Sequence, residues 1–169
     1  MRAPDRITIE LVSSATDDVR TLLAELDQLL MVEYRPEQRH GLAVDAIFKP
    51  NIRFFLARLN GMAVGCGGVM LFADFAEIKR MYVRDGARGH GVAQALLARI
   101  EEETRDAGPV LLRLETGIRQ TAALRFYQRA GFEVRGPFGA YATMAPQAIA
   151  TSVFLQKRLG SPDPRSEGG

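Results

Sequence analysis

Three glycines, Gly86, Gly89 and Gly91, fall within six positions, directly after an apolar run that ends at Val83. Glycine tolerates positive φ and lets a ligand approach the main chain closely. Val92, Leu96, Leu97 and Ile100 then recur at helical spacing, so the glycines open a helix. The unpaired amide hydrogens of such a helix start form an anion cradle, and phosphate is the usual occupant. Arg84, Arg88 and His90 add charge, or potential charge, around the same turn. The plainer reading is a strand-to-helix loop whose arginines face solvent. The spacing fits neither a Gly-x-x-x-x-Gly-Lys-Ser/Thr triphosphate loop nor the dinucleotide fingerprint that follows a first strand.

Other residues carry chemistry with less punctuation. Glu77 precedes the turn on the same run, with Lys79 two positions on as a natural ion-pair partner. Tyr127 lies in a segment whose helical spacing groups Ala123, Phe126 and Tyr127 on one side, with Gly131 ending the helix. Its bland role is that of an amphipathic aromatic at a helix boundary. Glu115 ends an apolar run, where it either attracts an ammonium group or bonds the backbone of the Thr116-Gly117 turn. His40 reads as a residue that caps a helix or satisfies a buried carbonyl. The lone Cys66, in an apolar glycine-containing strand, reads as a small core residue.

Positioning these groups requires an α/β order. Ile7, Ile9 and Leu11 alternate as a first strand, and Val19 to Leu30 repeats at helical spacing after the capping run Ser13 to Asp18. A short second helix is expected around residues 42–48. Residues 51–58 and 63–72 read as strands joined at Asn60-Gly61, a strong hairpin signal. Residues 76–83 form another strand, 91–107 a helix, 110–114 a strand and 121–129 a helix. Strands at 132–135 and 152–156 complete the order. The first half is antiparallel, and the later helices suit connections between parallel strands. Residues 1–159 form one domain, and residues 160–169, rich in Gly, Pro and Ser, read as a disordered tail.

The totals bound the function. A chain of 169 residues, 47% hydrophobic and 25% charged, has the profile of a soluble globular domain. Its net charge of +2, with positive residues gathered at a phosphate-sized turn, argues against a nucleic-acid surface. One cysteine and two histidines fifty residues apart supply no metal-ligand spacing. The N-terminus has no apolar signal segment, and no run approaches the roughly 18 apolar residues of a spanning helix, so a cytoplasmic location away from membrane is expected.

Arg88-Gly89-His90-Gly91-Val92-Ala93 resembles the Arg/Gln-x-x-Gly-x-Gly/Ala signature of the GNAT-type N-acetyltransferases. Thr121-Ala-Ala-Leu-Arg-Phe-Tyr-Gln-Arg-Ala-Gly-Phe132 is similar to the second diagnostic stretch of that family. Segments at 36–42, 77–83, 112–117 and 136–141 resemble a bacterial subgroup of small GNAT proteins of mostly unassigned substrate. The likeness spans residues 16–158. It implies a single-domain GNAT-like fold, a mixed central sheet flanked by helices. It also implies acetyl-coenzyme A as cosubstrate and direct transfer of acetyl to a primary amine of a small molecule, amino acid or peptide. A coenzyme-A-binding regulatory module with little turnover is the alternative. Family likeness also makes a homodimer an expectation.

Residue by residue, the resemblance implies that the backbone of Arg88, Gly89, His90, Gly91, Val92 and Ala93 holds the pyrophosphate. The strand near Met81 and Val83 meets the pantetheine arm. Tyr127 falls on the family's general acid, a phenol that protonates the departing thiolate. Glu77 falls where some members place a general base. Gln120 stands where the family often has asparagine, a contact to pantetheine. Tyr34, His40, Glu115 and Tyr141 become expected walls of the acceptor cleft. Ala140 and Ala145 replace acids common in the subgroup, so its acceptor does not carry over directly.

Overall fold

The computed structural model describes residues 3–160. Residues 161–169, nearly all of the expected tail, lie outside the described residues. The chain order is β1 (Ile7–Val12), α1 (Asp17–Glu33), β2 (Ile52–Leu59), β3 (Met62–Leu71), β4 (Ala76–Val83), α2 (Val92–Ala107), β5 (Leu111–Gly117), α3 (Thr121–Arg129), β6 (Glu133–Arg135), α4 (Pro146–Ile149) and β7 (Ser152–Arg158). The strands form one mixed sheet in the order β1-β2-β3-β4-β5-β7-β6.

Local chemistry explains the joints. Thr16 accepts a hydrogen bond from the Val19 amide, and Asp17 and Asp18 occupy the first turn of α1, favourable to the helix dipole. Asn60 and Gly61 both take positive φ, 52° and 88°, the geometry of a tight hairpin between β2 and β3. The period-2 pattern of β2 sends Phe55 and Ala57 into the core beneath α2 and α3. Phe54 and Leu56 go to the opposite face, against Val19, Leu22 and Leu23 of α1. Burying each of these large side chains contributes roughly 1.5–3 kcal/mol.

The helix expected around residues 42–48 is replaced by a single 3₁₀ turn, Val44–Ala46. Its apolar residues are real core residues: Ile47 is buried, and Leu42, Val44 and Phe48 pack on the α1 cluster. Only Ile47, Phe48 and Lys49 separate this turn from Pro50, too few to extend a helix before the proline breaks the pattern. A 3₁₀ turn at Pro36–Gln38, another at Gly139–Thr143, and α4 were not legible from periodicity. Strand β5 runs to Gly117, past the expected end at Leu114, so Glu115 sits inside the strand opposite Phe154 of β7.

Two irregularities open the sheet. Arg80 takes φ 57°, and the β3–β4 register shifts by one residue there, a bulge that interrupts the alternation of β4. The parallel pairing of β4 with β5 is confined to Ala76↔Leu112 and Glu77↔Arg113. Beyond Glu77 the two strands diverge. Their facing main-chain groups lack a ladder partner, which creates a slot in the middle of an otherwise continuous sheet. Strand β7 enters beside β5 and separates it from β6, so α3 joins two parallel strands that are not neighbours.

Candidate active site

The turn after β4 contrasts with the start of α1. Gly91 precedes α2 with φ 85°, provides no side-chain cap, and is followed by no acid in the first helical turn. Gly89 has φ 85° as well. The first amides of α2 therefore remain available to an external acceptor, whereas in α1 Thr16 caps the Val19 amide. Arg88 pairs with Asp85 at 3.1 Å, and His90 Nδ1 lies 2.6 Å from Asp5. Both side chains are turned toward carboxylates of the protein. The main chain, rather than either side chain, presents the anion receptor, and Val92 and Ala93 begin the helix behind it. A pyrophosphate fits these donors, and an extended amide-bearing arm fits the slot between β4 and β5.

That slot leads into a cavity of about 150 Å³. Strand β4 contributes Glu77, Lys79 and Met81, β5 contributes Glu115, α3 contributes Tyr127, and Tyr141 closes one side. Tyr34, His40 and Gln120 also border it. The cavity thus brings together every acceptor-cleft residue named from the sequence, along with Glu77, Gln120 and Tyr127. Val83 lies outside it, farther along β4 toward the glycine turn.

Glu77 is buried, and its Oε2 accepts hydrogen bonds from the Tyr141 hydroxyl at 2.7 Å and from Lys79 Nζ at 2.8 Å. The expected Lys79 ion pair is therefore present. Lys79 also donates to the Tyr141 oxygen at 2.8 Å, which closes a three-membered network. Burial, followed by the neighbouring Glu77 carboxylate, pushes the Tyr141 phenol well above its ordinary pKa. His40 Nε2 bonds the Ala148 carbonyl at 2.7 Å, the carbonyl-satisfying role, while its ring meets Tyr141 edge-on at 5.6 Å.

Glu115 is held differently. The Ser152 hydroxyl donates to its Oε2. Burial raises its carboxyl above the usual carboxylate range, partly opposed by the Ser152 hydrogen bond and by His40 and Lys79. Tyr127 is buried between Phe126 and Phe132, at 5.2 and 5.3 Å between ring centroids. Burial raises its pKa far enough that the phenol keeps its proton across the neutral range. Its hydroxyl makes no hydrogen bond among the described residues, and the residue lines the cavity. Cys66 is fully buried in the α1-side core, and its thiol is pushed up to about 12, which leaves it inert at neutral pH.

Tyr34 and Gln120, 86 residues apart, are partners. The Tyr34 hydroxyl donates to Gln120 Oε1 at 2.9 Å and accepts from the Arg119 amide at 3.0 Å. This latch ties the end of α1 to the turn before α3. It also accounts for Gly117: a Cβ there would overlap the Tyr34 hydroxyl and ring. Gly117→Ala is expected to cost about 1–3 kcal/mol, as overpacking does, and to lower Tm by roughly 2–10 °C. Thermal melts of Gly117→Ala, Tyr34→Ala and the double variant check this. Strictly additive losses would rule out the latch as the cause.

Sequence reasoning missed Ser152, which was legible only as a strand residue. It also missed Arg39, which lies in an irregular stretch without periodicity and lines the same cavity.

Comparison with known proteins points in one direction. The acetyltransferase (GNAT) domain model matches residues 50–134. An IAA acetyltransferase of Azospirillum brasilense is 41% identical over 155 residues, covering 90% of this chain and 98% of that protein. An aminoalkylphosphonate N-acetyltransferase of Salmonella typhimurium is 34% identical over 133 residues, covering 73% of this chain and 84% of that protein. A solved Klebsiella pneumoniae structure, assigned as an acyl-CoA N-acyltransferase, superposes with a TM-score of 0.76 at 31% identity, covering 91% of this chain and 98% of that one.

Proposed function

The chain belongs to the GNAT N-acetyltransferase family, and from that premise we propose that its cavity seats a small primary amine beside the thioester of acetyl-coenzyme A. The protein is an acetyl-CoA-dependent N-acetyltransferase, as its family and relatives indicate. The finer assignment rests above all on one observation. A half-buried carboxyl, Glu115, and a protonated phenol, Tyr127, line one cavity at the mouth of the β4–β5 slot.

The glycine turn holds the pyrophosphate on the first amides of α2 and fixes where the acyl end reaches. Glu115 receives the ammonium group of the acceptor and takes one proton from it, since only the free amine has a lone pair for attack. The amine nitrogen bonds to the thioester carbonyl carbon, the carbon–sulfur bond breaks, and Tyr127 supplies the proton or hydrogen bond that the departing sulfur needs, while the nitrogen's second proton passes to water or back to the Tyr127 oxygen. Glu77, already accepting from two donors, orients Tyr141 and Lys79 along the acceptor wall. This division moves the proton-accepting role from Glu77 to the less committed carboxyl.

A thiol-release assay with acetyl-coenzyme A across a panel of small amines tests the reading. Amine-dependent release is expected, and tight coenzyme binding with no release for any amine would overturn it in favour of a binding module. Glu115→Gln is expected to lower kcat/KM about 10²-fold, the scale of a positioned base, and to remove its ascending pH limb. Stability should move the other way. The raised carboxyl binds its proton more tightly in the folded than in the unfolded protein, so folding loses stability as pH rises from the ordinary value of 4.5 through the folded one. Above that window Glu115→Gln should melt higher than wild type, and below it the two should converge. A variant that is both less active and less stable at neutral pH would contradict the assignment.

A further inference from the structure

The charges around the cavity can be paired off, and two remain. Lys79 is taken by Glu77 and Tyr141. Arg80 is buried on the far side of its bulge, bonded to Asp27 at 2.7 Å and to the Leu23 carbonyl at 3.4 Å. Glu77 is taken by the same Lys79 and Tyr141. Glu115 has only the neutral Ser152 hydroxyl as a hydrogen-bond partner among the described residues. Arg39 has no ion pair among the described residues, and its Nε is buried without a hydrogen-bond partner. Both line the cavity.

An uncommitted guanidinium with a buried, unsatisfied N–H is costly to leave empty, about 1–3 kcal/mol for a buried donor and more when charged. Its planar fork matches a carboxylate or phosphonate, which accept two parallel hydrogen bonds. Its place relative to Glu115 is constrained by the chain. His40, the next residue, lines the same cavity as Glu115, and its ring is fixed by Ala148 and Tyr141. A simple alkylamine would engage Glu115 and leave Arg39 unsatisfied. An amine that also carries an acid group would engage both.

Resting on the acetyl-transfer reading, we infer that the acceptor is a small zwitterion, an amino acid or aminoalkylphosphonic acid, whose ammonium group meets Glu115 and whose anionic group is bound by Arg39. The cavity volume suits a short molecule of this class. The anion subsite discriminates against neutral-tailed amines. It does not take part in the chemistry, so its loss appears in KM and not in kcat.

Glycine, β-alanine, 4-aminobutyrate and 2-aminoethylphosphonate are assayed by thiol release, the carboxylic acids against their carboxamides and the phosphonate against propylamine. The wild type is expected to favour at least one acid over its neutral counterpart by tenfold or more in kcat/KM. Arg39→Gln should raise the KM of that acid at least tenfold, hold kcat within about threefold, and leave the neutral counterpart unchanged. Arg39→Lys, which keeps the charge and loses the fork, should fall between. Release with neutral amines but no preference for any acid would overturn the subsite and leave acetyl transfer standing. Equal effects of Arg39→Gln on acid and neutral acceptors would also overturn it. No release with any amine would overturn both readings.

Discussion

Tyr127→Phe is expected to lower kcat by about 10²-fold, the usual contribution of a positioned acid, while the apparent affinity for acetyl-coenzyme A stays within about threefold. The substitution removes one oxygen and keeps the ring, which the fold uses through its contacts with Phe126 and Phe132. No protein acceptor is orphaned, because that hydroxyl makes no hydrogen bond among the described residues. Tm should therefore hold, since no hydrogen bond of the fold is lost. The kinetic loss follows from what the phenol faces. A thiolate is a better leaving group when hydrogen-bonded, and burial keeps the Tyr127 proton in place at every pH where the enzyme would work. The same raised pKa makes complete transfer to sulfur less favourable, so much of the benefit comes from a hydrogen bond that strengthens as charge grows on sulfur. Pre-steady-state thiol release separates this from product dissociation. A phenylalanine variant with wild-type single-turnover rates would remove Tyr127 from the mechanism.

The parts of this site that the sequence made legible are those set by local backbone rules. Gly89 and Gly91 announce positive φ, and both adopt it. Residues 121–129 announce a helix by spacing and by Gly131, and α3 has those bounds. The illegible parts depend on long-range pairing or on a broken rule. Arg80 carries the bulge that redirects β4, and nothing in an arginine signals a left-handed backbone. The insertion of β7 between β5 and β6 places Ser152 against Glu115, a pairing across 37 residues that alternation cannot reveal. The Tyr34–Gln120 latch spans 86 residues and gives Gln120 a protein partner where the family pattern suggested a cosubstrate contact. Arg39 follows a 3₁₀ turn with no periodicity to orient it. Apart from the 3₁₀ turn before Arg39, the elements were readable and their neighbours were not.

The second large effect concerns the turn itself. Gly91→Asp should weaken coenzyme A binding by about 10²-fold or more, with little change in the melting temperature of the ligand-free protein. Space permits the side chain, since a Cβ at Gly91 would meet nothing closer than the Gln94 side-chain oxygen at 3.6 Å. Aspartate visits positive φ more readily than most residues, at a cost of about 1 kcal/mol. Its charge at the start of α2, which has no acid of its own, recovers about 0.3–1 kcal/mol from the helix dipole. Toward a pyrophosphate the same charge is repulsive. Two unit charges about 5 Å apart at an effective dielectric near 20 interact by about 3 kcal/mol, roughly two decades in Kd. Gly91→Asn makes the decisive control, because asparagine shares the backbone tolerance and size without the charge. Titration calorimetry, or the rise in Tm on adding coenzyme A, should rank wild type above Asn and Asn well above Asp. The gap between Asn and Asp should narrow as salt is raised. Equal losses in the two variants would mean that the turn discriminates by shape, and the amide cradle at α2 would no longer explain how the phosphates are held.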